Sequence, residues 1–366
     1  MPLAATVPSV AGETRRRAAR SRVLLVALGG SALLAGLDAA LVRLEVWAPV
    51  VATRLGDVHG QVMVLGFLAT LISLERAQSL GRAWAYLAPG LYGVGALALV
   101  SPVPALVGQL LQVEAGVLFV AVCVALWRRA PRPLVAAQAL SAVLALGGAV
   151  VAAAVDVPHA LPWLIGFVVV TIAAERAELA ALTMGDVADR QLLALASVLT
   201  LAILAALLAP AGGERLVGLS LLAVAGWLVA HDVVRRQLGL AGQRRYLAGA
   251  LLVGYANLAF AGGVLAAVGL LSGPGTYDVV VHGVFLGFGV SMVMAHAPVI
   301  LPAVLGRPLP YRPVLWAPLV LLQAGLAVRF GGALTGATVL WQVGGVLTVL
   351  AMLGFMVTAL ALVVRR

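Results

Sequence analysis

Apolar runs of about the length that crosses a bilayer recur all along this chain, each ended by Arg, Pro, Gly or Asp. A transmembrane helix needs about 20 predominantly apolar residues. Runs of that kind lie near 22–42, 59–79, 83–101, 104–127, 133–155, 159–183, 191–210, 215–235, 245–271, 278–303, 313–329 and 336–364. Together they take up most of the 366 residues. The composition agrees: 63% of residues are hydrophobic and 10% charged. Soluble domains are about 45–50% apolar and about 25% charged, so neither a water-soluble fold nor a disordered chain suits it. Aromatic residues are only 6%, and no ten-residue polar–apolar alternation occurs, which excludes an outer-membrane barrel. The expected fold is all-α, a polytopic membrane protein of about twelve helices.

The net charge is +10, and every basic residue is arginine. In so apolar a chain this marks cytoplasmic loops and not a nucleic-acid surface. Residues 1–21 read as an Arg-rich tail. The run after it is long, contains Asp38 and shows no clear small-residue cleavage site, so it reads as a first helix and not as a signal peptide. With the N-terminus inside, one side receives Arg82, Arg128, Arg129, Arg132, Arg190, Arg235, Arg236, Arg244, Arg245, Arg307, Arg312, Arg365 and Arg366. The other receives Arg43, Arg54, Arg215 and Arg329. The positive-inside rule then predicts a multi-pass protein of a bacterial-type plasma membrane with both termini cytoplasmic. The single Cys123 excludes a disulfide framework and a Cys-based metal centre.

Three segments look alike. Asp57-Val-His59 is followed by Gly66-Phe67 and Glu75-Arg76, and Asp156-Val-Pro-His159 by Gly166-Phe167 and Glu175-Arg176. Asp278 and His282 are followed by Gly287-Phe288-Gly289 and then His296-Ala-Pro298. A second echo pairs Gly81-Arg82 and Tyr86 with Gly306-Arg307 and Tyr311. These matches suggest three four-helix units, near 22–130, 131–240 and 241–366, within one membrane domain over 22–366. The second, sixth and tenth helices would then surround a common axis. At 100° per residue, His59, Met63, Gly66, Thr70 and Ser73 share a stripe, as do His159, Trp163, Gly166, Val170 and Ala173, and His282, Leu286, Gly289, Val293 and His296. A glycine beneath each histidine leaves room for a neighbouring helix or a flat macrocycle.

An ionisable residue inside a membrane is costly and points to function, and imidazole is the commonest metal ligand. His59, His159, His282 and His296, all on the repeat helices, are therefore the candidate ligands, with His282 and His296 the best-placed pair on one face. The plainer reading makes His59 and His159 interfacial groups that cap helices or bond to loops. Glu114 reads as a mid-membrane proton relay or a hydrogen-bonded packing group. Glu75–Arg76 and Glu175–Arg176 read as salt bridges at helix ends, Glu178 has no evident partner, and His231-Asp232 reads as surface. No phosphate loop, dinucleotide fingerprint or hydrolase triad is present.

On these residues the chain resembles subunit I of the haem-copper oxidases and, more closely, the NnrS family of haem- and copper-containing membrane proteins linked to nitric-oxide stress. The resemblance rests on the twelve-helix threefold layout, on His59-Gly60-x-x-Met63-x-x-Gly66-Phe67, on His282 through Ser291-Met292, and on Gly306-Arg307-Pro308-Leu309. It implies a redox protein holding haem b between His59 and His282, with Arg329 near a propionate and His159 as a copper ligand. It also implies an electron-donor protein or a small diatomic gas as partner, besides the lipid bilayer. The seventh helix lacks the histidine pair of the oxidases, so a complete oxygen-reducing centre is not expected. A metal-free transporter or channel, or a scaffold subunit that has lost its cofactors, are the competing readings. Repeats of one orientation favour the redox protein over a transporter, which would show inverted repeats and polar groups near the midplane.

Overall fold

The computed structural model describes residues 10–50, 54–269, 273–305 and 309–364, and among them it is helical with no strand. Twelve helices are long and apolar enough to cross a membrane, which makes this an all-α, multi-pass membrane protein. They are α1 (Ser21–Arg43), α2 (Leu55–Leu80), α3 (Ala83–Val100), α4 (Ala105–Arg129), α5 (Pro133–Ala154) and α6 (Val157–Leu179). The second half follows with α7 (Met184–Leu208), α8 (Pro210–His231), α9 (Gln243–Val268), α10 (Pro274–Val299), α11 (Pro313–Thr335) and α12 (Thr338–Val364). Each agrees with a run read from the sequence to within a few residues at most ends. The Gly306-Arg307-Pro308 part of the quoted echo lies outside the described residues.

The punctuation is physical. Gly81, at φ 69°, ends α2 in a left-handed turn that a side chain would strain. Proline stands in the first turn of α5, α6, α8 and α10, where its missing N–H costs nothing. Asp156 caps α6, its carboxylate accepting the His159 backbone N–H at 2.9 Å.

Consecutive helices pack against one another throughout, and α1 also touches α12, which closes the bundle. The three most buried spans are α2, α6 and α10, at 61, 72 and 83%. α6 contacts both of the others, so the repeat helices form the inner layer. The outer helices turn leucine and valine outward, among them Leu201, Leu208 and Val357, as a bilayer requires and water would not tolerate. Glu114 also faces outward, on α4, in contrast to the expected buried or partly buried position.

Two inner helices are not regular. Val62–Leu68 in α2 and Gly283–Val290 in α10 are π-helical, whereas α6 is α-helical throughout. Wider turns break the 100° spacing, so the expected stripes of α2 and α10 do not hold as single faces. The glycines beneath the histidines serve helix packing. A Cβ at Gly66 would lie 2.4 Å from the Ala96 Cβ, and one at Gly166 would lie 2.6 Å from the Ile203 side chain.

Candidate functional site

A cavity of about 1040 Å³ opens at the end of the bundle where α2, α6 and α10 begin. It is at the upper end of the range for ligand pockets. His59, His282, Arg43, Asp278, Arg329 and Trp341 line it, over a floor that includes Met63, Leu286 and Met352. His59 and His282 thus line one space although they stand in different repeats of the chain.

Each imidazole is held by its Nδ1. His59 Nδ1 lies 2.9 Å from the Gly36 carbonyl oxygen, and His282 Nδ1 lies 2.9 Å from the Asp278 carbonyl oxygen. A carbonyl only accepts, so in both rings Nδ1 carries a hydrogen, and a neutral ring then has its lone pair on Nε2. That is the tautomer of a metal-ready imidazole with a hydrogen-bonded second nitrogen. The Gly36 contact depends on close helix approach: a Cβ there would lie 2.3 Å from Met63 Sδ. A side chain there would have to displace Met63 for α1 to keep its carbonyl at the His59 ring.

The Asp278 carboxylate also faces His282, with Oδ1 3.2 Å from Nδ1. It accepts two charge-assisted bonds from Arg329, at 2.8 Å from Nε and 2.7 Å from Nη2. The guanidinium is stacked 5.6 Å from the centre of the Trp341 ring. Gly344 lets α12 lie against the α11 backbone at Arg329, since a Cβ there would lie 2.3 Å from the Arg329 backbone nitrogen. Arg329 is therefore in the cavity, as expected, but its charge is matched by a partner that the sequence reading missed. Asp278 was quoted only as the start of a repeat, and spacing alone gives no sign of a pair 51 residues apart.

The other two histidines stand elsewhere. His159 is half exposed, does not line the cavity, and binds Asp156 Oδ1 through Nδ1 at 2.7 Å. Slight burial works the other way, but the bonds from the His159 backbone and ring hold the Asp156 carboxyl below the usual carboxylate range. This is the plainer reading of His159, a helix cap. His296 is buried near the far end of α10. Its Nδ1 donates to the Met292 carbonyl at 2.9 Å and its Nε2 faces Arg176 Nη1 at 3.3 Å. Both nitrogens are engaged, so His296 does not pair with His282, and the π-helical turns between them undo the shared face. Among the described residues no group of three or more His, Cys, Asp or Glu is arranged to hold a metal ion. His159, bonded to Asp156 outside the cavity, and His296, held at the far end, thus do not join His59 and His282 in one set.

The far end carries two ion-pair networks. Arg176 makes a bidentate pair with Asp232, at 2.8–3.0 Å, and Tyr255 donates to the same carboxylate at 2.7 Å. The expected Glu175–Arg176 bridge is thus replaced by one to Asp232, which is buried and not on the surface. Arg76 does pair with Glu75, at 2.6 Å, and also with Glu178 at 3.1 Å, which supplies the missing partner.

Residues 22–364 match the family model described as a domain of unknown function, DUF8744. The match spans nearly the whole chain, and the protein belongs to that family. No curated protein matches it.

Proposed function

We propose that this member of the family is a haem-binding redox protein of the membrane, with His59 and His282 as the axial pair of one b-type haem. The observation that carries the reading is the cavity itself: two imidazoles from different inner helices line it, each tethered through Nδ1 with Nε2 free. The residues fit such a group. The floor is apolar, the volume is ample, and Arg43 and Arg329 offer cations for acidic substituents. Bound there, a bis-histidine haem would supply one-electron transfer with no open axial position. The chain's part is to fix both rings, keep the site dry below and balance charge through Asp278–Arg329. In this reading Asp278 makes His282 a more basic ligand. An electron-donor protein docks at the cavity end, which the arginine asymmetry puts outside, both termini being cytoplasmic. A nitric-oxide role follows from the likeness to NnrS proteins alone.

The test is the reduced-minus-oxidised visible spectrum of protein made with ample haem. Wild type is expected to give sharp low-spin bands, lost or shifted in His59→Ala and His282→Ala and kept in His159→Ala. Imidazole added to His282→Ala should restore them. A colourless wild type, or bands unchanged in both variants, would return the cavity to the transporter or scaffold reading.

A further inference from the structure

We infer that the far end of the bundle holds a second site, for one proton and one water, between α2 and α6. It does not depend on haem in the cavity. Three carboxyl groups, Glu75, Glu175 and Glu178, surround the single guanidinium of Arg76. Glu75 and Glu178 take its two ion pairs. Glu175 is left without a cation of its own, since Arg176 next to it is spent on Asp232. Its carboxyl lies within hydrogen-bonding reach of the Glu75 carboxyl. Two carboxylates only accept, so a bond between them requires a proton on one of the two. Charge points the same way, because two neighbouring half-buried carboxylates that share one guanidinium repel each other when both are ionised.

A second observation points to the water. Glu175 Oε1 and Arg76 Nε are both buried and have no hydrogen-bond partner among the described residues. Arg76 as a whole is only 7% exposed. The two residues line the same small void, with Cys123, Gln138, Ser141 and Thr171 around it. Its volume is about 10 Å³, on the order of what one buried water needs. A water there accepts from Arg76 Nε and donates to Glu175 Oε1, which satisfies both groups at once. The void is too small for a metal with its ligand shell, and no set of carboxylates among the described residues converges as metal ligands do.

The charged and titratable groups facing Glu175 are then Glu75 and Arg76 from α2 and Glu178 from its own helix, with the Cys123 thiol from α4 and the neutral Gln138 from α5. Glu178 is half exposed and is bonded to both Arg76 and Gln138, at 3.1 and 2.9 Å. It is the group through which the bound proton exchanges with bulk water. The site therefore binds a proton at an end of the inner layer, and the proton adds a link between α2 and α6 beside the Arg76–Glu178 ion pair.

Infrared difference spectra of the full protein in light and heavy water test this. At neutral pH, wild type minus Glu175→Gln should show loss of a protonated-carboxyl C=O band that shifts on deuteration. Wild type minus Glu75→Gln should show the same band displaced, since the proton then has one oxygen partner fewer. Glu75→Gln also serves as the second reading if Glu175→Gln fails to fold. Loss of an ionised-carboxylate band alone in both differences would overturn the site. So would a band that changes when sodium or calcium chloride is added to wild type, which would make it a metal site.

Discussion

Arg329 and Arg176 solve one problem at opposite ends of the bundle: a buried guanidinium gripped by a buried aspartate on another helix. Removing one member leaves an uncompensated charge, which costs about 3–5 kcal/mol in buried pairs. Arg176→Met should therefore lower the unfolding midpoint in detergent markedly, and adding Asp232→Asn should recover part of the loss. If the single variant melts like wild type, the pair carries little of the packing. Asp156 differs because it is exposed. A lost N-cap costs about 1 kcal/mol, so Asp156→Ala should destabilise by that order at neutral pH. Its carboxyl is held low, so the stabilisation is present above the free value of about 3.9 and fades as pH falls through the lower folded value. Variant and wild type should converge in acid. A difference that persists undiminished in strong acid would show that the cap does not work through the carboxylate. At this scale His59 and His282 were legible as polar groups on the inner helices, and their partners were not. Gly36 reaches the His59 ring, and Arg329 reaches Asp278, only through tertiary packing, which no local pattern encodes, whereas the Asp278–His282 contact is a local one across four residues. The Asp156 cap is local, since the residue stands immediately before Val157 opens α6 and bonds the backbone three residues on.

Helix boundaries were the most legible feature, because hydropathy and Arg, Pro and Gly punctuation act locally. The π-helical stretches were not. Val62–Leu68 and Gly283–Val290 are ordinary apolar residues, and wide turns persist where packing holds them. They displace every residue beyond them from the expected stripe, which is how His296 came to sit apart from His282. Glycine packing gives the sharpest prediction on elements. At Gly218 of α8 a Cβ would lie 2.3 Å from the Ala266 backbone nitrogen of α9, while at Gly226 nothing lies within 4 Å. Gly218→Val should force the helices apart and lower the yield of folded protein in detergent, and Gly226→Ala should leave stability equal or up to about 1 kcal/mol higher. Equal behaviour of the two variants would contradict the α8–α9 contact.

Among the described residues the molecule is an inner layer of α2, α6 and α10 inside nine outer spans, with charged groups at both ends and, between them, mostly apolar packing crossed by the Asn257–Gln323–Ser291 hydrogen bonds. The repeat reading anticipated which helices lie inside, since the most polar segments had to be shielded from lipid. Sidedness rests on arginine. In a Cys123→Ser background, Arg54→Cys and Arg215→Cys should react with an impermeant thiol reagent from outside, and Arg132→Cys and Arg236→Cys should not; the reverse pattern would invert the protein. The central claim is that α2 and α10 place two imidazoles on one haem across a single cavity. The most direct measurement is carbon monoxide binding to the reduced protein, followed by its visible spectrum. With both axial positions taken, one haem per chain should be present and the wild-type spectrum should not change, whereas His59→Ala or His282→Ala should open a position and show a shift. A wild-type protein that binds carbon monoxide readily, or that carries no haem at all, would contradict the claim.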